Sequence, residues 1–572
     1  MDWRFAPRDR LTFGFSYGML REHFATRTQT FTINRVAPGN WGPTYTRGMA
    51  STFPATGTAV NAGNIAISNG GRIRPGRTIA PSLRWLHEGP VWKSDAGIAY
   101  GNSRIQYQDI DQGAFNGMTI RRNNVQILFD DIFYLRPGTI TVLAPDGTHV
   151  DPSSLDSYSL VSANSNRQKT YDTTRQAYGN IRRDFVVRDI PLGLKVGLDL
   201  KDKVRDLRGP GGSLETYTYV GADGRASTTP FTQARLVNDD SPLRFLDVPY
   251  SQRIPDFGLP QQQHVNNNKL WEDYNTNPTH WTRNANNDYI ALTNFSRRAQ
   301  ETISSAFVRG DIALFNRRLK IVTGIRAEQT NVKAEGPLND PTLAYRRDPS
   351  GNVVRDAAGR PVLLVPTNAG LPYSELTRIE RGTKADKEYL RLFPSLNASY
   401  GFTDGLIGRV AYSQSVGRPD FNQYAGGVTL PDLENINANS RITVNNASIQ
   451  AWQAETYMAR LEYYFGNAGS LSVGGFIRDY KNFFQTVVSL VSPGFLETYS
   501  LDETEYGGIL VSTQFNNPDV VRQHGFEVDY KQALTFLPQW ARGVRFFANV
   551  SSQRAKGTDS LQDMNPFTAN WG

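Results

Sequence analysis

Cysteine is absent from the 572 residues, so the sequence offers no disulfide, no thiolate metal site and no cysteine nucleophile. Long apolar runs are missing too: the lack of any stretch of about 18 apolar residues excludes a helical membrane protein. The formal net charge of +8 is spread over the whole chain, without any block of about five like charges. This distribution argues against a nucleic-acid-binding protein and is compatible with another anionic surface.

Aromatic residues make up 11% of the chain, with 26 Tyr and 30 Phe, which argues against intrinsic disorder. A secretory signal peptide is not visible, because Met1 is followed at once by Asp-Trp-Arg-Phe. A secreted or membrane protein should begin with one, so either the chain is cytosolic or its natural start lies earlier, and the rest of the sequence favours the second. We therefore expect the natural chain to begin before this point.

Hydrophobic periodicity predicts β-strands rather than helices. Large apolar residues alternate with small or polar ones along Leu11–Met19, and similar alternation occurs along 195–201, 319–328, 457–465 and 526–531. The alternation alone leaves open whether the apolar face points to a core or to lipid. For a lipid-facing sheet it predicts that one set of residues faces outward, namely Phe13, Phe15, Leu198, Ile321, Leu461 and Phe526. The set predicted to face the lumen is Lys195, Arg326, Arg460 and Glu527.

The connections between strands fall into two alternating classes. Very short turns are predicted at 6–10, 88–91, 189–193, 316–318, 403–405, 467–469 and 537–543. Between them are long connections, near 35–76, 108–170, 207–300, 333–387, 417–451 and 487–521. Strictly alternating short turns and long loops are typical of outer-membrane barrels, and turn signals inside the long connections predict accessory hairpins there.

Several strand motifs occur in an order that resembles the barrel of TonB-dependent outer-membrane receptors. They are the stretch 389–400, the turn 402–405, the segment from Arg409 to Phe421, the hairpin 455–484, the strand 523–530 and the "tGxRxE"-like strand 320–328. The detailed match covers about residues 300–555, and the strand pattern extends it to most of the chain.

This resemblance implies an all-β fold: a transmembrane antiparallel β-barrel with short turns on one rim and long loops on the other. The pattern predicts about 14 strands, whereas such receptors have about 22. Residues 1–572 are therefore expected to be a partial barrel domain that lacks an N-terminal plug and C-terminal strands.

The resemblance further implies a receptor and transporter in the outer membrane of a Gram-negative bacterium. It would take up a scarce iron chelate, vitamin or oligosaccharide, with energy coupled through TonB. Implied partners are the TonB complex, reached through the missing plug and TonB box, outer-membrane lipid and lipopolysaccharide, and the small-molecule or oligosaccharide ligand. No cofactor is implied, and nucleic acid is not expected as a partner.

Motifs for catalysis or metal binding are weak, and we predict that the chain is not an enzyme. Ser16 matches the letters of a nucleophile elbow, but it lies within unbroken strand alternation instead of a strained strand-to-helix turn. The six histidines lack metal-ligand spacing. Neither a catalytic nor a metal site is predicted.

The best binding candidate is an aromatic, asparagine-rich loop. Its aromatic rings could stack on sugars or chelates while amides and carboxylates supply hydrogen bonds. The alternative is a loop packed on its own aromatics or on lipopolysaccharide. The predicted ligand-binding residues are His264, Trp271, Tyr274, His280, Trp281 and Tyr289.

Three other functions stay open at this stage. A passive porin would have a smaller barrel and shorter loops. A secreted β-rich carbohydrate-active enzyme would need a convergent pair of carboxylates about 5–9.5 Å apart. The third possibility is a surface adhesin.

Overall fold

A computed structural model gives the fold. It describes residues 1–50, 61, 63–211, 215–226, 240–255, 259–433, 436–437, 440–444, 451–465, 468–499, 501, 503–517 and 519–556. Strands dominate these ranges, as the alternation predicts. No helix in the described ranges is both long and apolar enough to cross a membrane.

One antiparallel meander forms the body of the structure. Within the described residues it contains fourteen strands, each hydrogen-bonded to the next in sequence order. They are β1 (Asp2–Ala6), β2 (Asp9–Thr32), β3 (Gly63–Glu88), β4 (Trp92–Gln106), β5 (Lys169–Val187), β6 (Ile190–Arg208), β7 (Arg297–Leu314), β8 (Leu319–Asn339), β9 (Arg378–Gly401), β10 (Leu406–Gly417), β11 (Trp452–Phe465), β12 (Gly469–Lys481), β13 (Val521–Ala533) and β14 (Arg545–Lys556).

Several strands are longer than the alternation indicates. β3 has 26 residues, and β2 and β9 have 24 each, whereas a tilted strand needs only about 9–11 residues to cross the hydrocarbon. The surplus lies toward the long connections, so the loops predicted at 35–76 and 333–387 are shorter than expected.

The predicted alternation of short and long connections is confirmed. The chain returns within a few residues at 7–8, 89–91, 188–189, 315–318 and 402–405, and within eleven at 534–544. Arg188 and Asp189 both have positive φ, the backbone conformation of a two-residue hairpin turn. The turn predicted at 467–469 lies partly outside the described residues. Because the chain reverses direction at each connection of a meander, all long connections lie at the same end of the strands.

The sheet is open in the part of the chain that the structure describes. There β1 pairs only with β2, and β14 pairs only with β13. The all-β antiparallel architecture is confirmed, and a parent barrel of about 22 strands stays a prediction.

The long connections contain folded structure that extends the sheet. The first part of β3 (63–70) pairs with the strand Gly117–Asp130 instead of β4, and the pairing continues through Ser159–Ser165 and Glu215–Tyr219 to Trp281–Arg283. We call these strands, together with residues 240–255 and 259–281, the loop layer. Its fully buried residues include Ile65, Ile120, Leu160, Tyr217 and Leu270.

Helices, which the sequence pattern does not predict, occur inside the long connections. They are Val248–Ser251, Asn267–Thr276, Ala285–Phe295, Leu371–Thr377, Phe421–Tyr424, Pro493–Tyr499 and Glu503–Tyr506. The remaining short strands are Trp41–Gly42, Tyr45–Arg47, Thr139–Leu143, Val428–Thr429, Arg441–Val444, Phe483–Leu490 and Leu510–Asn517. The last four surround a second apolar cluster that includes Val428, Ile442 and Val511.

Candidate functional site

One face of the meander exposes its apolar side chains. Phe15 and Leu198 are 61% and 66% exposed, and Phe13, Leu461 and Phe526 are exposed as well. Ile321 is half-buried on the same face, since it lies opposite Ile312 in the register. Large apolar groups this exposed do not form a closed core, so the predicted grouping of these residues on one exposed face is confirmed, and contact of that face with lipid stays a prediction.

The opposite face carries cross-strand ion pairs. Lys195 lies 3.7 Å from Asp95, and Arg326 reaches Asp199 at 3.3 Å from two strands away. All four residues predicted to face the lumen are on this polar face, because Arg460 also pairs with Glu527 at 3.2 Å. A surface with alternating positive and negative groups suits polar solutes and water.

A segment of the connection between β10 and β11 lies against the polar face. Arg418 Nη2 is 2.5 Å from Glu328, and its Nε is 3.9 Å from the buried Glu301. The guanidinium of Arg205 lies over the Phe421 ring, with its Cζ 5.4 Å from the ring centroid. The residues that pack here are Ala299, Val332, Ala334, Tyr424 and Ala425.

Local sequence explains why this segment turns inward. Asp420 and Gln423 form a capping box at the start of the helix Phe421–Tyr424. Gly336 on β8 makes room, because a Cβ there would lie 2.7 Å from the carbonyl oxygen of Ala425. Strand alternation does not predict this inward segment, although the Arg-Pro-Asp run directly after β10 is a usable turn signal.

Three of the six predicted binding residues come together in the loop layer. Trp271 stacks on Tyr274 with ring centroids 5.3 Å apart, and Trp281 lies 6.4 Å from Tyr274. The ring centroids of all three residues lie within 6.1 Å of the ring centroid of Phe115. Trp281 is 5% exposed and donates a hydrogen bond from Nε1 to Asp273 at 2.9 Å. This aromatic cluster is part of the core of the loop layer.

The other three predicted residues lie apart from the cluster's stacked rings. His264 packs edge-on against Tyr250, and His280 lies edge-on to Tyr219. Tyr289 donates its hydroxyl hydrogen bond to the carbonyl of Arg378 at 2.9 Å. Ligand binding by these six residues stays a prediction.

His264 belongs to an anchor that ties the loop layer to β2. Arg27 on β2 lies over the Tyr250 ring at 3.5 Å and pairs with Asp247 at 2.8 Å. Burial, assisted by the nearby positive charge of Arg27, lowers the pKa of His264 from 6.5 to about 4. The imidazole is therefore neutral at pH 7.

We expect acid to loosen this anchor. Because its pKa is lowered in the folded state, the stability that His264 contributes is complete above pH 6.5 and is lost as the pH falls toward about 4. After correction for the intrinsic pH dependence of amide exchange, the protection of residues 245–255 and 259–270 should therefore fall between pH 7 and pH 4.5. His264→Phe should remove this pH dependence and His280→Phe should keep it, whereas equal pH dependence in both variants would contradict the assignment.

A polar cavity of 350 Å³ lies at the long-connection end of β2 and β3. Its lining includes His23, Arg27, Asp109, Asp247 and Asn267. Such a mixture of charged and amide groups, with the Phe115 ring beside it, fits a polar ligand of sugar or chelate size. Among the described residues, no three His, Cys, Asp or Glu side chains are grouped to hold a metal ion.

The family model "TonB dependent receptor-like, beta-barrel" matches residues 127–572. No curated protein matches.

Solved structures that resemble the chain include three receptors. The hemophore receptor HasR of Serratia marcescens is 9% identical with a TM-score of 0.37, and the match covers 90% of this chain and 58% of HasR. The ferric-catecholate import receptor Fiu of E. coli K12 is 11% identical with a TM-score of 0.36, and the match covers 96% of this chain and 65% of Fiu. The siderophore receptor PirA of Pseudomonas aeruginosa is 10% identical with a TM-score of 0.34, and the match covers 93% of this chain and 66% of PirA. The chain thus spans at most about two thirds of the length of these proteins. On the family match, which covers most of the sequence, the chain belongs to the TonB-dependent receptor β-barrel family.

Proposed function

We propose that the chain is barrel sequence of an outer-membrane receptor that takes up a scarce ligand with energy coupled through TonB. The observation that carries this proposal is the family match over residues 127–572. The ligand would be an iron chelate, a vitamin or an oligosaccharide. Members of this family are transport receptors rather than enzymes.

The two faces of the sheet support a role in a membrane. Exposed Phe, Leu and Tyr side chains on one face suit contact with lipid, whereas the ion-paired polar face suits the wall of an aqueous passage. A secreted β-rich enzyme would instead bury its apolar face. The location would be the outer membrane of a Gram-negative bacterium, with lipid and lipopolysaccharide as the surrounding partners.

Recognition would take place at the long connections. The polar cavity beside Arg27 and Asp247 offers groups for a polar ligand. The six predicted aromatic and histidine residues would form or support this binding surface, with the buried Trp281 acting through packing rather than through contact with the ligand. The inward segment around Arg418 would narrow the passage along the polar face. The TonB complex would act through a plug and TonB box elsewhere in the receptor.

Uptake by cells tests the proposal. A strain without the gene should lose energy-dependent accumulation of one radiolabelled ligand from a panel of ferric chelates, cobalamin and oligosaccharides. Restoring the gene should restore uptake, and deleting TonB should abolish it again. Uptake that persists without TonB would favour a passive porin, and unchanged uptake of the whole panel would contradict the proposal.

A further inference from the structure

A group of basic residues lies just beyond the exposed apolar belt, on the same face of the sheet. Directly paired residues of an antiparallel sheet point to one face, and the register joins exposed Met19 to Arg77, Arg77 to Arg104, and Arg104 to Tyr171. Residues two apart in a strand also share a face, so Arg21 lies on the face of Met19 and Lys169 lies on the face of Tyr171. We call Arg21, Arg77, Arg104, Lys169 and Arg208 the cationic patch.

Like charges face each other in this patch. Arg77 is the direct partner of Arg104, and Lys169 is the direct partner of Arg208. Directly opposed like charges destabilise a sheet, so their juxtaposition points to an anion that would neutralise them. Among the described residues, Arg21, Arg77 and Lys169 make no ion pair.

The acidic group nearest in the register does not compensate for this excess. Asp206 is the direct partner of Tyr171, and it already pairs with Arg208 at 2.5 Å and with Arg381. Tyr171 lies between two guanidiniums, 5.5 Å from that of Arg104 and 5.7 Å from that of Arg208. The strand register therefore fixes the spacing of the patch, which retains a net positive charge.

An apolar groove of 600 Å³ lies on the same face, farther down the same strands. Small residues Ala96, Ala177 and Gly179 form its floor, and larger ones such as Leu83 and Leu198 form its walls. Ile98 in the groove is six residues before Arg104 on β4, which is roughly 20 Å along a strand. The groove and the patch thus offer an apolar slot below a cationic surface.

We propose that this surface binds a phosphorylated lipid of the outer leaflet, with its phosphates on the cationic patch and an acyl chain in the groove. Basic clusters at the edge of a bilayer attract anionic head groups, and the groove adds apolar contact that a free anion cannot use. The inference rests on the proposed function, because recognition of an external ligand at the long connections requires those connections to lie on the outer side of the membrane.

Native mass spectrometry of the detergent-purified receptor tests the patch, with diphosphorylated lipid A as the probe. Removing two charges with Arg77→Gln and Arg104→Gln should lower lipid affinity by roughly ten- to thirtyfold, since each basic group near an anionic surface contributes about one power of ten or less. The control Arg317→Gln with Arg318→Gln removes two exposed charges from a short turn at the opposite rim and should bind like the wild type. Equal losses in both double variants would overturn the proposal.

A second pair of matched variants tests the groove. A Cβ at Gly179 meets nothing within 4 Å, so Gly179→Leu should fill the groove and weaken lipid binding at least several-fold without disturbing the sheet. Gly310→Leu, an equally open glycine on the same face of β7, should leave binding unchanged. Equal binding of dephosphorylated lipid A, or competition by millimolar inorganic phosphate that fully displaces the lipid, would overturn the two-part site.

The outcomes also separate this inference from the proposed function. If the receptor accumulates its ligand in cells but retains no phosphorylated lipid, the lipid site alone is wrong. If the protein is absent from outer-membrane fractions, the proposed function fails as well.

Discussion

Leu198→Arg is expected to destabilise the inserted sheet by about 2–4 kcal/mol, which is the cost of a guanidinium near the middle of a bilayer on the lipid face of a barrel. Leu198 is 66% exposed and lies between Gly179 and Ala306 on the neighbouring strands, so the new charge would have no acidic partner there. Unfolding of the receptor by guanidinium chloride in phosphatidylcholine vesicles, followed by tryptophan fluorescence, measures the change in unfolding free energy.

Asn397→Arg is the matched control. Asn397 is exposed on the polar face of β9, where its direct partners are Val322 and Ala411, so the added charge meets no like charge directly opposite. It should change stability by less than about 1 kcal/mol because lumen substitutions are tolerated. Equal costs for both variants would mean that the two faces of the sheet do not meet lipid and water as proposed.

Trp281→Ala is expected to destabilise the loop layer by about 3–5 kcal/mol, the usual cost of truncating a buried Trp. Trp281 contacts Phe115 and Tyr219 with ring centroids 5.7 and 4.9 Å away, and its indole hydrogen bond to Asp273 would be lost. Hydrogen exchange of the strand Glu215–Tyr219 reports the free energy of local opening.

The control is Trp41→Ala, because Trp41 is 68% exposed. It should change the opening free energy by less than about 0.5 kcal/mol, as is usual for a surface site. If Trp281→Ala instead left exchange unchanged and abolished ligand uptake, Trp281 would contact the ligand directly, and its structural role as described would be wrong.

The strands and their faces could be predicted from the sequence because both follow from local alternation. Phe13 and Phe15 alternate with Gly14 and Ser16, and this period of two fixes which side chains share a face. The same rule identified Lys195 and Arg326 as polar-face residues. The order of short and long connections was equally visible, since turn residues interrupt the alternation.

The loop layer could not be predicted because its contacts join residues far apart in the chain. Phe115 comes from the connection between β4 and β5, whereas Tyr217 and Trp281 lie far apart in the connection between β6 and β7, and no local pattern indicates that they meet. The run around Trp271 therefore resembled an exposed recognition surface, whereas the structure places its rings against Phe115. The helix Asn267–Thr276 was missed because most of its residues are polar and its apolar stripe is short.

The absence of native cysteine allows a direct test of the central claim, that this chain forms an outer-membrane barrel with its long connections outside. Ser350→Cys places one thiol in an exposed long connection, and Asp404→Cys places one in an exposed short turn at the other rim. In intact cells, a membrane-impermeant maleimide should label Ser350→Cys and should label Asp404→Cys only after the outer membrane is permeabilised. Labelling of Asp404→Cys alone in intact cells, or equal labelling of both, would contradict the proposed arrangement.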